Sequence, residues 1–214
     1  MAMLIAGIIA YNEEKLLPMC IESIIGKVDE IVVVEGRIDM FPPRDGNGWN
    51  IRSSDRTIEI AHGYGCNVIT SPRPWTDEAT MRNQYLIGND GDWYITIDAD
   101  EKCMTELPDI NDFPNNIDAY SVYVKMIGDN TGIWRPRLFR HNGTMEYRTI
   151  HDALFSDDKL ISRPSKAVRL HSIWFAHYQM KRDELRRIEK DKYYKDGYTH
   201  EPEYRKEWSM FNAD

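Results

Sequence analysis

Cysteine is scarce in this chain, three residues in 214. Cys20, Cys66 and Cys103 are odd in number and scattered, which suits a reducing compartment and neither a disulfide framework nor a zinc site. Long apolar runs are missing too. The best, Leu4 to Ala10, is strand-sized, far short of the ~18–20 residues of a membrane-spanning helix. The start of the chain has no basic stretch, hydrophobic core and small-residue cleavage site, so no secretory signal is read. The expectation is a cytoplasmic protein whose only membrane contact would be peripheral. Basic residues are outnumbered, 27 Lys and Arg against 35 Asp and Glu, for a net charge of -8. That balance argues against nucleic acid as a partner, because binding phosphates needs a clustered basic surface. An acidic protein still binds a nucleotide when a divalent cation stands between the two. No G-x-G-x-x-G follows the first apolar run, which disfavours a dinucleotide oxidoreductase.

What is present reads as one α/β domain over residues 1–214, since this length supports one sizeable core rather than two. Met3 to Ala10 is continuously apolar, the mark of a strand covered on both faces in a parallel sheet. Leu16, Leu17, Cys20, Ile21, Ile24 and Ile25 recur at helical spacing, with Pro18 in the first turn and Gly26 at the end. Glu30 to Val34 is a second buried strand, completing a βαβ unit. Residues 37–52 read as a long loop. The pattern resumes with a helix over 54–63, a strand over 67–70, a helix over 79–86 and a strand over 93–97. Beyond Pro108, strands are predicted over 119–126, 133–140 and 168–175, with a turn at Gly128-Asp129-Asn130. A charged helix over 181–194 follows, its mixed charges a solvated face.

In open α/β sheets, ligands bind at the carboxyl ends of the strands. Asn12 and Glu13 fall there after the first strand, Glu35 after the second, and Asp98 and Asp100 after the fourth. Residues two apart on a strand share a face, so both aspartates address one site if the chain stays extended. Hard oxygen ligands of this kind suit Mg²⁺ or Mn²⁺ bridging phosphate oxygens. A departing nucleoside diphosphate gathers negative charge, and a Lewis acid stabilises it. The pair alone has little specificity, since Asp90-Gly91-Asp92 matches as well. That second pair precedes its strand and belongs at the opposite sheet edge, as a turn.

Five segments in order resemble family 2 glycosyltransferases of the GT-A fold: Ile8 to Glu14, Asp29 to Glu35, Ser54 to Thr57, Arg82-Asn83, and Asp92 to Glu101. The likeness covers residues 3–103, and Arg137 to Arg140, His151-Asp152 and His177-Tyr178 extend it loosely to about residue 180. It resembles the small bacterial-type members. The resemblance implies a GT-A-like α/β/α sandwich with a mostly parallel central sheet, a nucleotide-sugar-binding half over 1–103 and an acceptor half over 104–214. It implies a metal-dependent, inverting transferase that moves one sugar from a UDP- or GDP-sugar to a carbohydrate or lipid-linked acceptor. Ala10, Tyr11, Asn12 and Glu13 would line the base and ribose pocket, with Glu35 reaching the nucleoside and Asp55, Arg82 and Ala99 also on the donor side. Asp98 would contact the ribose or a metal-bound water. Asp100 would hold Mn²⁺ or Mg²⁺ directly, with His177 as a further ligand and His171 as its alternate. Asp152 would be the base, where relatives often carry His-Glu, and Arg137 and Arg140 would steady the diphosphate or orient the acceptor. Two departures stand out: Glu35 replaces the usual Asp, and the 37–52 loop intervenes. The Gln-x-x-Arg-Trp signature of processive synthases is absent, which favours single-sugar transfer.

Plainer roles compete. Asn12 can cap the first helix, Glu35 can accept a loop hydrogen bond, and Asp152 can cap a helix or pair with an arginine. Arg137 and Arg140 would face opposite ways on a regular strand. A non-catalytic sugar-nucleotide-binding scaffold and a sugar nucleotidyltransferase are the rival functions. The latter usually needs a Gly-rich, basic phosphate loop, which Tyr11 to Glu14 is not.

Overall fold

The computed structural model describes residues 2–39, 51–86, 92–128, 131–148, 154–161 and 168–178. The predicted 181–194 helix, Asp152 and most of the 37–52 loop lie outside them. The first unit is the expected one: strand β1 (Leu4–Ala10), helix α1 (Leu17–Glu22) and strand β2 (Glu30–Glu35). Helix α2 (Thr57–Gly63), strand β3 (Asn67–Thr70), helix α3 (Glu78–Asn83) and strand β4 (Trp93–Thr96) follow. A short strand β5 (Glu101–Cys103) comes next, then the long strands β6 (Ala119–Met126) and β7 (Gly132–Arg140). A small antiparallel sheet is built from β8 (Glu146–Tyr147), β9 (Leu154–Ser156) and β10 (Lys159–Leu160), before β11 (Val168–His177) returns to the main sheet.

The main sheet has eight strands in the order β3-β2-β1-β4-β7-β6-β11-β5. It is mixed, which corrects the mostly parallel expectation. The pairs of β1 with β2 and β4, of β2 with β3 and of β11 with β6 are parallel. The pairs of β7 with β4 and β6, and of β5 with β11, are antiparallel. The reason is local. A hairpin joins β6 to β7, and hairpin-linked strands must run opposite ways.

Strand alternation divides the apolar residues between the two faces. Leu4, Ala6, Ile8 and Ala10 of β1 and Val33 of β2 pack with Leu17, Cys20, Ile21 and Ala61 from α1 and α2. Ile5, Val32 and Val34 pack on the other face with Ala79, Met81 and Tyr85 from α3 and its exit. A strand covered on both sides has no polar face to show, which is why β1 reads as an unbroken apolar run. Among the described residues no helix is long and apolar enough to cross a membrane.

Gly7 marks how closely α3 approaches. A Cβ there would meet the buried Tyr85 ring at 2.6 Å. Gly7→Ala is therefore expected to overpack the central strand and cost about 1–3 kcal/mol, read as a lower midpoint in denaturant. An unchanged midpoint would mean that Tyr85 has room to retreat.

Candidate active site at the carboxyl edge of the sheet

Parallel pairing of β1 with β2 and β4 brings their carboxyl ends to one edge: Ala10 lies beside Glu35, and Gly7 beside Thr96. Asn12, Glu13, Glu35, Asp98 and Asp100 all lie at or just past this edge. Asp92 lies at the opposite edge, where its Oδ1 accepts from the Met3 amide at 2.9 Å. Location separates the two Asp-x-Asp pairs, as the sequence implied.

The turn after β1 is stitched to the segment before α2. Asn12 takes a left-handed φ of 54°. Its amide donates to Ser53 Oγ at 2.8 Å, and its Oδ1 accepts from the Ser54 amide at 2.8 Å. The Glu13 amide donates to Thr57 Oγ1 at 2.7 Å and the Glu14 amide to Asp55 Oδ2 at 3.0 Å. Asp55 Oδ1 accepts from the Thr57 amide at 3.0 Å. Asn12 thus does not cap α1, whose start has no side-chain cap and is closed by the Glu13 carbonyl. Ala10 and Glu13 are buried and Tyr11 half-buried at this turn.

Glu35 is fully buried, with Oε1 accepting from the Ser53 amide at 2.5 Å and Oε2 without a partner among the described residues. Burial raises its pKa, and the Ser53 hydrogen bonds offset that only in part. A carboxyl whose folded pKa lies above its unfolded value stabilises most at low pH, and that contribution fades as pH rises through the folded value. Wild type is therefore expected to lose melting temperature relative to Glu35→Gln as pH rises above the ordinary glutamate range. Parallel pH profiles for the two proteins would refute this.

Asp98 and Asp100 do not share an extended face. β4 stops at Thr96, and a tight turn closed by the Glu101 amide on the Asp98 carbonyl, at 2.8 Å, redirects the chain. The two carboxylates consequently have different partners. Asp98 is clamped between two guanidiniums, Arg82 Nη2 on Oδ1 at 2.7 Å and Arg137 Nη2 on Oδ2 at 2.9 Å. Arg82 comes from α3 and also lies 3.5 Å from Glu78. Arg137 comes from β7 at a bulge, for Tyr120 and Ser121 of β6 pair with Leu138 and Pro136 and leave Arg137 as the extra residue. The bulge turns this residue toward Asp98. Arg140 is not part of the cluster. Its guanidinium lies 4.9 Å over the Trp93 ring, at the far end of the sheet.

Asp100 is fully buried, with its Oδ2 3.6 Å from Nε2 of His177. The Tyr178 amide donates to the Asp100 carbonyl at 2.8 Å, holding the end of β11 against this turn. His171, the alternate ligand, lies instead against Trp134 at 4.9 Å between ring centroids. Ala99, between the two aspartates, packs into the apolar core.

Glu101, which sequence reasoning passed over, joins all of this. It is 1% exposed; Oε1 accepts from Arg137 Nη2 at 2.9 Å and lies 3.4 Å from His177 Nδ1, while Oε2 accepts from the Asp98 amide at 3.0 Å. Its signal was available: it closes a run of three carboxylates in four residues at the carboxyl end of the fourth strand. Burial opposes charge on His177, but the Glu101 hydrogen bond and the charges of Asp100, Glu101 and Asp98 outweigh it, so the imidazole pKa is raised.

Ligand atoms of Asp98, Glu101 and His177 lie within 4.8 Å of one another. Both Asp98 oxygens already face guanidiniums, which makes this residue a poor cation ligand. Asp100 and His177 fit better. Two donors on one ion at about 2.1 Å stand roughly 3–3.6 Å apart, and the Asp100 to His177 separation is 3.6 Å.

No protein-family model matches the chain. Over 196 residues it is 27% identical to a TPR repeat-containing protein of Synechococcus elongatus, covering 86% of this chain and 44% of that protein. Over 140 residues it is 30% identical to an uncharacterized glycosyltransferase of Rickettsia felis, covering 63% of this chain and 43% of the relative. The chain thus spans less than half the length of these curated relatives. Among solved structures it is similar to S. aureus TarS 1-349 in complex with UDP, at 20% identity and a TM-score of 0.44, covering 61% of this chain and 38% of that one.

Proposed function

We propose that this chain is the transferase unit of a GT-A-like, metal-dependent glycosyltransferase that moves one sugar from a nucleoside-diphosphate sugar to an acceptor hydroxyl. One observation carries the reading: three parallel strand ends converge on a fully buried Asp100 that faces His177, beside an Asp98 clamped by Arg82 and Arg137. Similarity to the Rickettsia proteins named glycosyltransferases supports it.

The Asn12–Glu13 turn and Glu35 would cradle the nucleoside, with Glu35 also fixing the start of the Ser53–Thr57 latch. Asp98, held rigid by its two arginines, would orient the ribose or a water on the cation rather than bind the ion itself. Asp100 and His177 would hold Mn²⁺ or Mg²⁺, which supplies charge neutralisation at the diphosphate. In an inverting displacement the acceptor oxygen forms its bond to the anomeric carbon as the bond from that carbon to the phosphate oxygen breaks. The electron pair leaves with the nucleoside diphosphate, and the acceptor proton passes to a base, for which Asp152 is proposed. A cytoplasmic location, with peripheral membrane contact, belongs to the same proposal.

Calorimetry of UDP, GDP and their sugars, with and without Mn²⁺, tests this directly. Cation-dependent binding of one nucleotide, with slow release of free sugar from its donor, is expected. Binding without donor turnover under any acceptor would favour a non-catalytic sugar-nucleotide scaffold. Indifference to every nucleotide would remove the proposal.

A further inference from the structure

β6 and β7 continue past the edge on which Asp98 lies. The last β4 residue paired to β7 is Ile95, opposite Leu138, so residues 132–136 of β7 run beyond the end of β4 together with their β6 partners. On one face of this arm, Tyr123 and its cross-strand partner Trp134 place their rings 5.4 Å apart. Gly132 shares that face of β7, and a Cβ there would meet the Tyr123 hydroxyl at 2.3 Å. The absence of a side chain lets Tyr123 lie down across the strand instead of standing off it.

β11 completes the surface by losing register. Arg169 pairs with Ser121 and Trp174 with Tyr123, five residues against two. Leu170 and Ile173 of this bulge go to the apolar core. Arg169 and His171 go the other way: the guanidinium lies 5.4 Å over the Trp134 ring, and the imidazole meets that ring edge-on. Arg169 and His171 are exposed, and Tyr123 and Trp134 are half-buried. Rings recruited merely to fill a core would be covered.

Charge on these strands is one-sided. β6, β7 and β11 carry Lys125, Arg135, Arg137, Arg140 and Arg169 and not one Asp or Glu, in a chain of net charge -8. We infer that the face built by Tyr123, Trp134, Arg169 and His171 is the acceptor platform, and that it takes a saccharide carrying a phosphate or carboxylate. Aromatic faces receive the C–H side of a pyranose, while Arg169, with Lys125 on the same face as Tyr123, receives the anionic group. Trp134 stands three residues from Arg137, about 10 Å along the strand, roughly two sugar rings from the clamp on Asp98. The inference rests on the transferase reading.

The test is a glycan array of neutral, phosphorylated and uronate-bearing oligosaccharides, probed with the full chain, Trp134→Ala, His171→Ala and Arg169→Glu. Melting temperatures establish that each variant is folded. Wild type should prefer the anionic glycans; Trp134→Ala and His171→Ala should weaken capture about tenfold, and Arg169→Glu should erase the preference for charge. Calorimetric binding of UDP or GDP should be unchanged in all three. Capture that survives Trp134→Ala, a neutral preference, or no capture by wild type would each overturn the platform. Failure of wild type to bind any nucleotide would instead remove the transferase reading, whatever the array shows.

Discussion

Asp100→Ala is expected to lower sugar transfer by about 10³-fold and to abolish its response to Mn²⁺. Asp100 is fully buried and meets His177 at 3.6 Å, so its loss takes the carboxylate from the pair proposed to hold the cation. Asp92→Asn is the matched control. It alters the other Asp-x-Asp pair, which ties the Met3 amide at the opposite edge, and should cost stability while leaving the cation response intact. The readout is donor turnover across a Mn²⁺ titration for both variants. Full activity and an ordinary titration curve in Asp100→Ala would remove the metal from the mechanism.

Arg137→Ala is expected to be the most destabilising single change in the cluster. Arg137 is 3% exposed and lies 2.9 Å from both Asp98 and Glu101. Removing it leaves a fully buried Glu101 and a partly buried Asp98 without their shared cation, a loss of about 3–5 kcal/mol or roughly 10 °C in melting temperature. Scanning calorimetry of the variant beside wild type at pH 7 measures the loss, and an unchanged melting temperature would refute it. Arg137→Lys should recover part of the stability, because both carboxylates are met by one nitrogen, Nη2, and an ammonium also carries several donors.

Legibility followed the range of the interaction. The strands and helices of the first hundred residues could be read because a strand buried on both faces is apolar without interruption and a helix on a sheet repeats its apolar residues every three or four positions. Even the rank of the two Asp-x-Asp pairs was readable, since a parallel sheet has a carboxyl edge and an amino edge. The partners were not. Asp98 and Asp100 look equivalent in the sequence, and a regular strand would have left them so; the turn at Glu101 separates their roles. Arg137 and Arg140 were expected on opposite faces, but which of them meets the acidic cluster was not readable; Arg137, the extra residue of a bulge in β7, does, and Arg140 lies on Trp93.

Periodicity and the order of short motifs determined the α/β class, the strand-end location of the candidate site and most of its residues, because those features depend on neighbours a few positions away. Tertiary structure alone decided the role of Asn12 as a latch to Ser54, the central place of Glu101, and the placing of His171 against Trp134 rather than at the cluster. The contacts of Glu101 with Arg137 and of Asn12 with Ser54 join residues 36 or more positions apart. No local pattern encodes which of several distant groups a buried charge will meet. Packing of the sheet settles that.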